Sequence, residues 1–203
     1  AFLVKGGGHR VLVNPFEPVG CAQGLKKPNI KADVILASSE LADEGSRDYE
    51  GLFFVEPGVY SIRGLNFQGL SAPHDRVGGR RFGYSTSWQW EQGGYNFVHL
   101  GGSVAPIRIQ EKLLYGRPDV LFLAVGGGSK VYNGQEAAEV VRYLNPKIVV
   151  PVQYSKENSL ENCDQTNIQP FLNSLQGFKV NEVGKRFKVP RKFSDLVLIK
   201  LMR

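Results

Sequence analysis

Cysteine is scarce in this chain: there are two among 203 residues, Cys21 and Cys163, far apart in sequence. Two such distant thiols do not make the disulfide framework of a small secreted domain, and the expectation is that they stay unpaired in a reducing compartment. Long apolar runs are also missing. Residues 120–125, Val-Leu-Phe-Leu-Ala-Val, follow Asp119 and read as a buried strand, far short of the roughly 18 apolar residues that span a bilayer. Histidine is limited to His9, His74 and His99. No signal peptide is recognisable, yet the chain starts on Ala1-Phe-Leu-Val4, which reads as the middle of a fold; the expectation is that a leader was removed or that residues precede it.

Glycine is plentiful, at 24 residues, and proline contributes 11; both are spread along the chain, as numerous tight turns between short strands require. Apolar content of 42% and charged content of 22% exclude a disordered chain. At this length about 70% of the unfolded surface can be buried, enough for a sizeable core. The formal charge of +6 allows loose attraction to polyanions. Its main cluster, Lys185, Arg186, Lys188, Arg191 and Lys192, offers only Phe187 and Phe193 as stacking rings, and a solvated face between two strands explains it as well.

Alternation predicts strands over residues 2–5 and 10–14, joined through Gly6-Gly-Gly8 in a hairpin turn. Residues 15–28 read as a loop, 32–37 as a buried parallel strand and 38–46 as the loop leaving its end. Short strands follow over 52–55, 59–62, 65–70, 81–86 and 95–100. After Pro106 helices and strands alternate: helix 107–115, strand 120–125, helix 135–144, strand 148–152, helix 169–175 and a closing strand 196–201. The helix over 135–144 carries an apolar stripe of Ala137, Ala138, Val140, Val141 and Leu144. Mostly antiparallel strands followed by alternating helices and strands, with no linker between, predict one α/β domain: a four-layer αββα sandwich with sheets inside and helices outside.

Three segments resemble a known family. Gly8-His-Arg-Val-Leu-Val-Asn-Pro-Phe16 is similar to the "G-x-R-I-L-I-D-P-F" strand and turn of metallo-β-lactamase-fold hydrolases, in particular the branch containing ascorbate-6-phosphate lactonase and related zinc-dependent hydrolases. Residues 125–141 resemble its "I-G-G-H-x-T-M-x-P-E-E-A-A" loop and helix, and residues 144–154 its "K-P-K-I-V-I-P-M-H-Y" strand. The resemblance implies a single domain over residues 1–203, without the strand with which family members normally begin.

The resemblance also implies where a metal centre would lie, and that it has been dismantled. The family signature T-H-x-H-x-D-H uses imidazoles and a carboxylate from one strand end to hold one or two zinc ions, which lower the pKa of a bound water to about 7. Here the segment reads Ser38-Ser39-Glu40-Leu41-Ala42-Asp43-Glu44, so Ser39, Leu41 and Glu44 stand where histidines are expected and only Asp43 is retained. His74, in Ala72-Pro-His-Asp75, matches a further ligand. Gly102 replaces the bridging aspartate and Gln153 the last histidine. Leucine cannot ligate, glycine has no side chain and serine is a poor neutral ligand, whereas zinc needs about four donors. No cofactor is therefore expected. Asp43, Glu44 and His74 offer three donors at most, and only if Glu44 turns inward.

Several residues have both an active and a structural reading. His74 is a ligand or base, or a relic whose tautomer Asp75 fixes; His99 is a structural contact on a strand; His9 is solvent-exposed. Gly126-Gly-Gly-Ser129 reads as a phosphate cradle or a tight turn beside the pocket. Cys163 has no base beside it in sequence that would make it a nucleophile. Tyr84, Trp88 and Trp90 share one strand face, either packed under a helix or presented to a partner. The leading expectation is a catalytically silent protein that binds or assembles with a protein partner rather than nucleic acid; the alternative is a metal-dependent hydrolase rebuilt around Asp43, Glu44 and His74. Gln153-Tyr154 and Asn162-Cys163-Asp164 resemble cyanobacterial and plastid members, which implies a chloroplast stroma or cyanobacterial cytoplasm.

Overall fold

Paired turn residues set the registers of the first half. The computed structural model describes residues 1–155, 163–193 and 197–201. In it β1 (Phe2–Gly6) and β2 (His9–Val13) form an antiparallel hairpin closed by Gly7-Gly8, both with positive φ. A two-residue turn of that hand matches the right-handed twist of the strands. β3 (Lys31–Leu36) runs parallel to β2, and β4 (Glu50–Phe54) parallel to β3, completing a four-stranded sheet. The chain then crosses to a second sheet as a meander: β5 (Gly58–Ile62), β6 (Leu65–Pro73), β7 (Tyr84–Gln92) and β8 (Tyr95–His99). Arg63-Gly64 and Gly93-Gly94 turn the first and last hairpins, again with positive φ at both residues.

α1 (Ile109–Tyr115), β9 (Val120–Ala124), α2 (Gly134–Leu144), β10 (Ile148–Val152), α3 (Gln169–Ser174), β11 (Lys179–Val183) and β12 (Val197–Leu201) follow. The second sheet has the order β11-β12-β10-β9-β8-β7-β6-β5, parallel from β8 through β11. α2 is delimited by its own chemistry. Asn133 accepts from the Glu136 N–H while Glu136 accepts from the Asn133 N–H, and Asn145 ends the helix in the left-handed region.

Strand alternation divides the interior in two. Val11, Val13, Val34 and Leu36 of the small sheet meet Phe67, Trp88, Trp90, Phe97, Val120, Phe122 and Val150 of the large one. Val98, Leu121, Leu123 and Val149 point the other way, onto Tyr115, the apolar stripe of α2 and Phe171 of α3. All three α-helices thus cover the outer face of the large sheet. Leu12 and Ile35, on the outer face of the small sheet, are fully buried as well. The α/β sandwich expected from sequence is thus present, with the three described α-helices on the large sheet. No helix of the described residues is long and apolar enough to cross a membrane.

Several expectations are corrected. The strand expected over 81–86 runs instead from Tyr84 to Gln92, because the N–H groups of Arg81 and Phe82 are committed to the Asp75 carboxylate. β11 was not anticipated, and Leu196, placed in the closing strand, lies outside the described residues. Trp88 and Trp90 are fully buried between the sheets; the Trp88 indole N–H donates to the Ala37 carbonyl at 2.8 Å and that of Trp90 to Gln92 at 3.1 Å. They form core between the two sheets, neither packed under a helix nor presented as an interface, whereas Tyr84 is exposed. Cys21 and Cys163 are joined in a disulfide, so the inference of a reducing compartment from unpaired thiols loses its basis. The basic cluster is exposed on the segment between β11 and β12, with Phe187, Val189 and Phe193 turned inward.

Candidate functional site

The C-terminal ends of β3, β9 and β10 and the loops after β6 and β8 converge at one end of the sandwich, the place where parallel strands conventionally present ligand-binding groups. The loop after β3 turns sharply. The Leu41 carbonyl accepts from the N–H groups of Glu44 and Gly45 at 3.0 and 2.7 Å, and the Leu41 N–H donates to the Ser39 hydroxyl at 3.2 Å. Gly45 lies so close to the Ser39 carbonyl that no Cβ would fit. That turn drives the Glu44 side chain into the interior, where it is 1% exposed.

Glu44 is the hub. Its Oε1 lies 2.8 Å from His74 Nε2 and accepts from the Ser39 hydroxyl at 2.8 Å; its Oε2 accepts from Gln153 Nε2 at 3.0 Å and from the Ser38 hydroxyl at 3.3 Å. The His74 contact is short, but the ring N–H is not aligned on the oxygen, so it is a close polar contact rather than a linear hydrogen bond. Burial alone would push the Glu44 carboxyl up. His74, the nearby charge of Lys130 and the Ser39 hydroxyl outweigh it and hold the group at about 2. Glu44 is thus an ionised carboxylate sealed inside the protein.

His74, at the end of β6, is 0% exposed. Its Nδ1 has no hydrogen-bond partner among the described residues, and neither has the buried Oε1 of Gln153. Asp75 does not orient the ring as expected. Its carboxylate accepts from the N–H groups of Val77, Gly79, Arg81 and Phe82, all at 2.8–2.9 Å, which organises the loop between β6 and β7 and holds its own pKa down at about 2 against the opposing effect of burial. Gly102 makes the arrangement possible. A Cβ there would stand 2.7 Å from His74 Cδ2, closer still to Nε2, and 3.3 Å from Glu44 Oε2. Gly102→Ala is therefore expected to cost roughly 1–3 kcal/mol through overpacking. Urea unfolding checks this, and a variant as stable as the parent would show that the ring has room to withdraw.

Of the residues singled out from sequence, Ser39, Glu44, His74, Gly102 and Gln153 come together. Leu41 contributes backbone only. Asp43 turns away to pair with Lys130 at 3.0 Å. Gln153 sits at φ 48°, in the left-handed region that non-glycine residues seldom occupy, as befits a position over-determined by its surroundings. His99 is buried on β8, where its Nδ1 accepts from the Gly101 N–H at 2.9 Å, consistent with a structural contact. The glycine loop over 126–129 does hold a carboxylate, but it belongs to the chain: Asp164 Oδ2 accepts from the Ser129 N–H and hydroxyl at 2.8 Å each. Cys163 is no free nucleophile. Sequence reasoning missed Ser38, Lys130 and Asn14, whose side chain clamps Ser38 through Nδ2–H···Oγ at 2.8 Å and N–H···Oδ1 at 2.9 Å. Asn14 could have been found, because it occupies the aspartate position of the family's first motif.

The model of the β-lactamase superfamily domain family matches residues 1–153. The chain belongs to the metallo-β-lactamase superfamily. Among solved structures it is similar to a proposed zinc-dependent hydrolase of that superfamily from Thermotoga maritima, with 23% identity, a TM-score of 0.73, and coverage of 99% of this chain and 94% of the other. A proposed metal-dependent hydrolase from Parabacteroides distasonis shares 15% identity at a TM-score of 0.63, over 86% of this chain and 84% of that one. The metallo-β-lactamase fold protein YhfI from Bacillus subtilis shares 12% at 0.60, over 97% and 87%. At such identities the likeness concerns the fold. No curated protein sequence matches.

A superfamily metal centre does not fit these residues. Among the described residues no three His, Cys, Asp or Glu side chains converge as ligands. The two oxygens of Glu44 already accept from protein donors, Asp43 is held by Lys130, and Gly102 leaves a space that the His74 ring fills.

Proposed function

We propose that this superfamily member is catalytically silent and serves as a binding or assembly component. One observation carries the reading: the Glu44–His74 pair, 2.8 Å apart and 1% and 0% exposed, fills the position where the superfamily's chemistry takes place. A substrate cannot reach a carboxylate enclosed by Ser38, Ser39, His74 and Gln153, and an imidazole pressed against that carboxylate is not free to act as a base toward an external group. The alternative, a hydrolase rebuilt around Asp43, Glu44 and His74, needs three groups facing one point, and the Asp43–Lys130 pair opposes it. A binding role has exposed apolar surface to draw on, including Ile109 and Leu113 one helical turn apart on α1.

The test is metal content together with hydrolysis. Protein purified in the presence of zinc or manganese and then dialysed is expected to retain substoichiometric metal. It should show no hydrolysis of phosphodiester or lactone substrates above buffer. Stoichiometric metal, with a hydrolytic rate that His74→Gln abolishes, would sink the reading.

A further inference from the structure

We propose that Cys21–Cys163 is a reversible redox-modification site, a latch between the loops that flank Glu44, whose co-substrate is a dithiol. Cys21 lies in the single-turn 3-10 segment Gly20–Ala22, in the loop after β2. Cys163 lies beyond β10, 142 residues away in sequence. Both are half-buried rather than part of either core.

The two ends of the latch sit on the loops that flank Glu44, those after β2 and β3 on one side and those after β9 and β10 on the other. On the Cys21 side, the Glu17 N–H donates to the Ala42 carbonyl at 2.7 Å, and Gly20 lies against Asp43, its nearest atom to a Cβ there being Asp43 Oδ2 at 3.8 Å. On the Cys163 side, Asp164 is bound by Ser129, with Gly128 making room: a Cβ at Gly128 would come within 2.5 Å of the Asp164 carboxyl carbon. The Thr166 N–H donates to the Gly126 carbonyl at 2.6 Å, and the Lys130–Asp43 pair joins the loop after β9 to the loop after β3. A closed ring of contacts therefore runs beside Glu44: 17–21, 42–43, 129–130 and 163–164. Apart from the disulfide, its links are hydrogen bonds and one part-buried ion pair. Such contacts open locally far more readily than a covalent bond, and loops of this kind belong to the least stable parts of a fold.

Reduction would proceed by attack of one thiolate of the dithiol on a latch sulfur, giving a mixed disulfide. The second thiolate then displaces the remaining latch sulfur. The dithiol supplies two electrons and becomes a disulfide; Cys21 and Cys163 each take one proton as thiols. The ring would then be held by non-covalent links alone, and Glu44 and His74 would become reachable from solvent. This consequence is independent of whether the site hydrolyses anything.

The experiment uses the full chain purified without reductant. Its cysteines should resist maleimide until dithiothreitol is added, react as a pair afterwards, and become protected again on reoxidation. Hydrogen exchange should rise about tenfold or more in peptides covering residues 17–25, 38–46, 126–133 and 163–168, while β9 and α2 keep their protection. Cys21→Ser should show the same fast loops without reductant and no response to it. The proposal is overturned if the untreated thiols react, if dithiothreitol leaves the native protein unreduced, if the loops do not respond, or if β9 and α2 lose protection along with them, since the last result describes a structural staple.

Discussion

His74→Ala is expected to lower the unfolding free energy by roughly 3–5 kcal/mol, because it removes one member of a buried polar pair and strands the other as an uncompensated charge. Glu44 would keep the Ser39 hydroxyl and the Gln153 amide, but its closest nitrogen neighbour at 2.8 Å would be gone. Burial is the largest single influence on this carboxyl and acts upward; His74 is the largest that opposes it. In the variant the carboxyl is therefore expected to titrate above its ordinary range. A raised folded-state value means that protonation favours the folded form, so the deficit relative to the parent should shrink as pH falls toward the unfolded value of about 4.5. The double variant Glu44→Gln, His74→Ala, which leaves no charge behind, should be more stable at pH 7 than His74→Ala alone. Urea unfolding of parent, single and double variants at several pH values measures all three. A deficit under about 1 kcal/mol that does not depend on pH would mean that the pair is incidental to the fold.

That result bears on what replaced the metal. In a zinc-holding relative the ion would tie strand ends together from the middle. Here the carboxylate of Glu44 reaches from the loop after β3 to the ends of β6 and β10, an internal cross-link made from one acid and its donors. Much of this is legible in sequence, and what is not has physical reasons. Hairpins at Gly7-Gly8 and Gly93-Gly94 and the stripe of α2 follow from turn chemistry and periodicity, which act locally. β11 escapes notice because Lys179, Asn181 and Glu182 give it no alternation to read; its neighbour β12 defines it. Trp88 and Trp90 illustrate a different limit. Spacing shows that they share a face, while only the second sheet decides that the face is interior.

The site follows the same division. The resemblance locates Ser39, Glu44, His74, Gly102 and Gln153, and the loss of donors is visible residue by residue. The inward turn of Glu44 is not, since it depends on the close approach of Gly45 to Ser39. Neither is the diversion of Asp43 to Lys130, 87 residues away, nor the disulfide, whose partners are 142 residues apart. Long-range pairings of this kind leave no mark in local pattern.

Acidification from pH 7 to pH 4 is expected to remove roughly 3 kcal/mol of stability through one residue outside the pair, His99. Burial pushes its imidazole down to about 3 from an ordinary 6.5, with the charge of Glu44 pulling the other way. The geometry gives an independent reason: Nδ1 accepts from the Gly101 N–H at 2.9 Å, and a proton there would destroy that bond. Because the folded value lies below the unfolded one, the unfolded chain takes up a proton from about 6.5 downward while the folded chain refuses it. The stabilisation is thus complete above pH 6.5 and drains away as pH falls toward 3. Glu44 contributes a second, lower window of the same sign, between its unfolded 4.5 and its folded value of about 2. Two variants separate the windows. His99→Gln can still accept from Gly101 and should flatten the profile between pH 6.5 and 4.5, whereas Glu44→Gln should leave that upper limb in place and flatten only the lower one. Urea midpoints that are constant from pH 7 to pH 5 in the parent would show that His99 takes its proton as readily in the folded chain as in the unfolded one, and that the end of β8 is open to water.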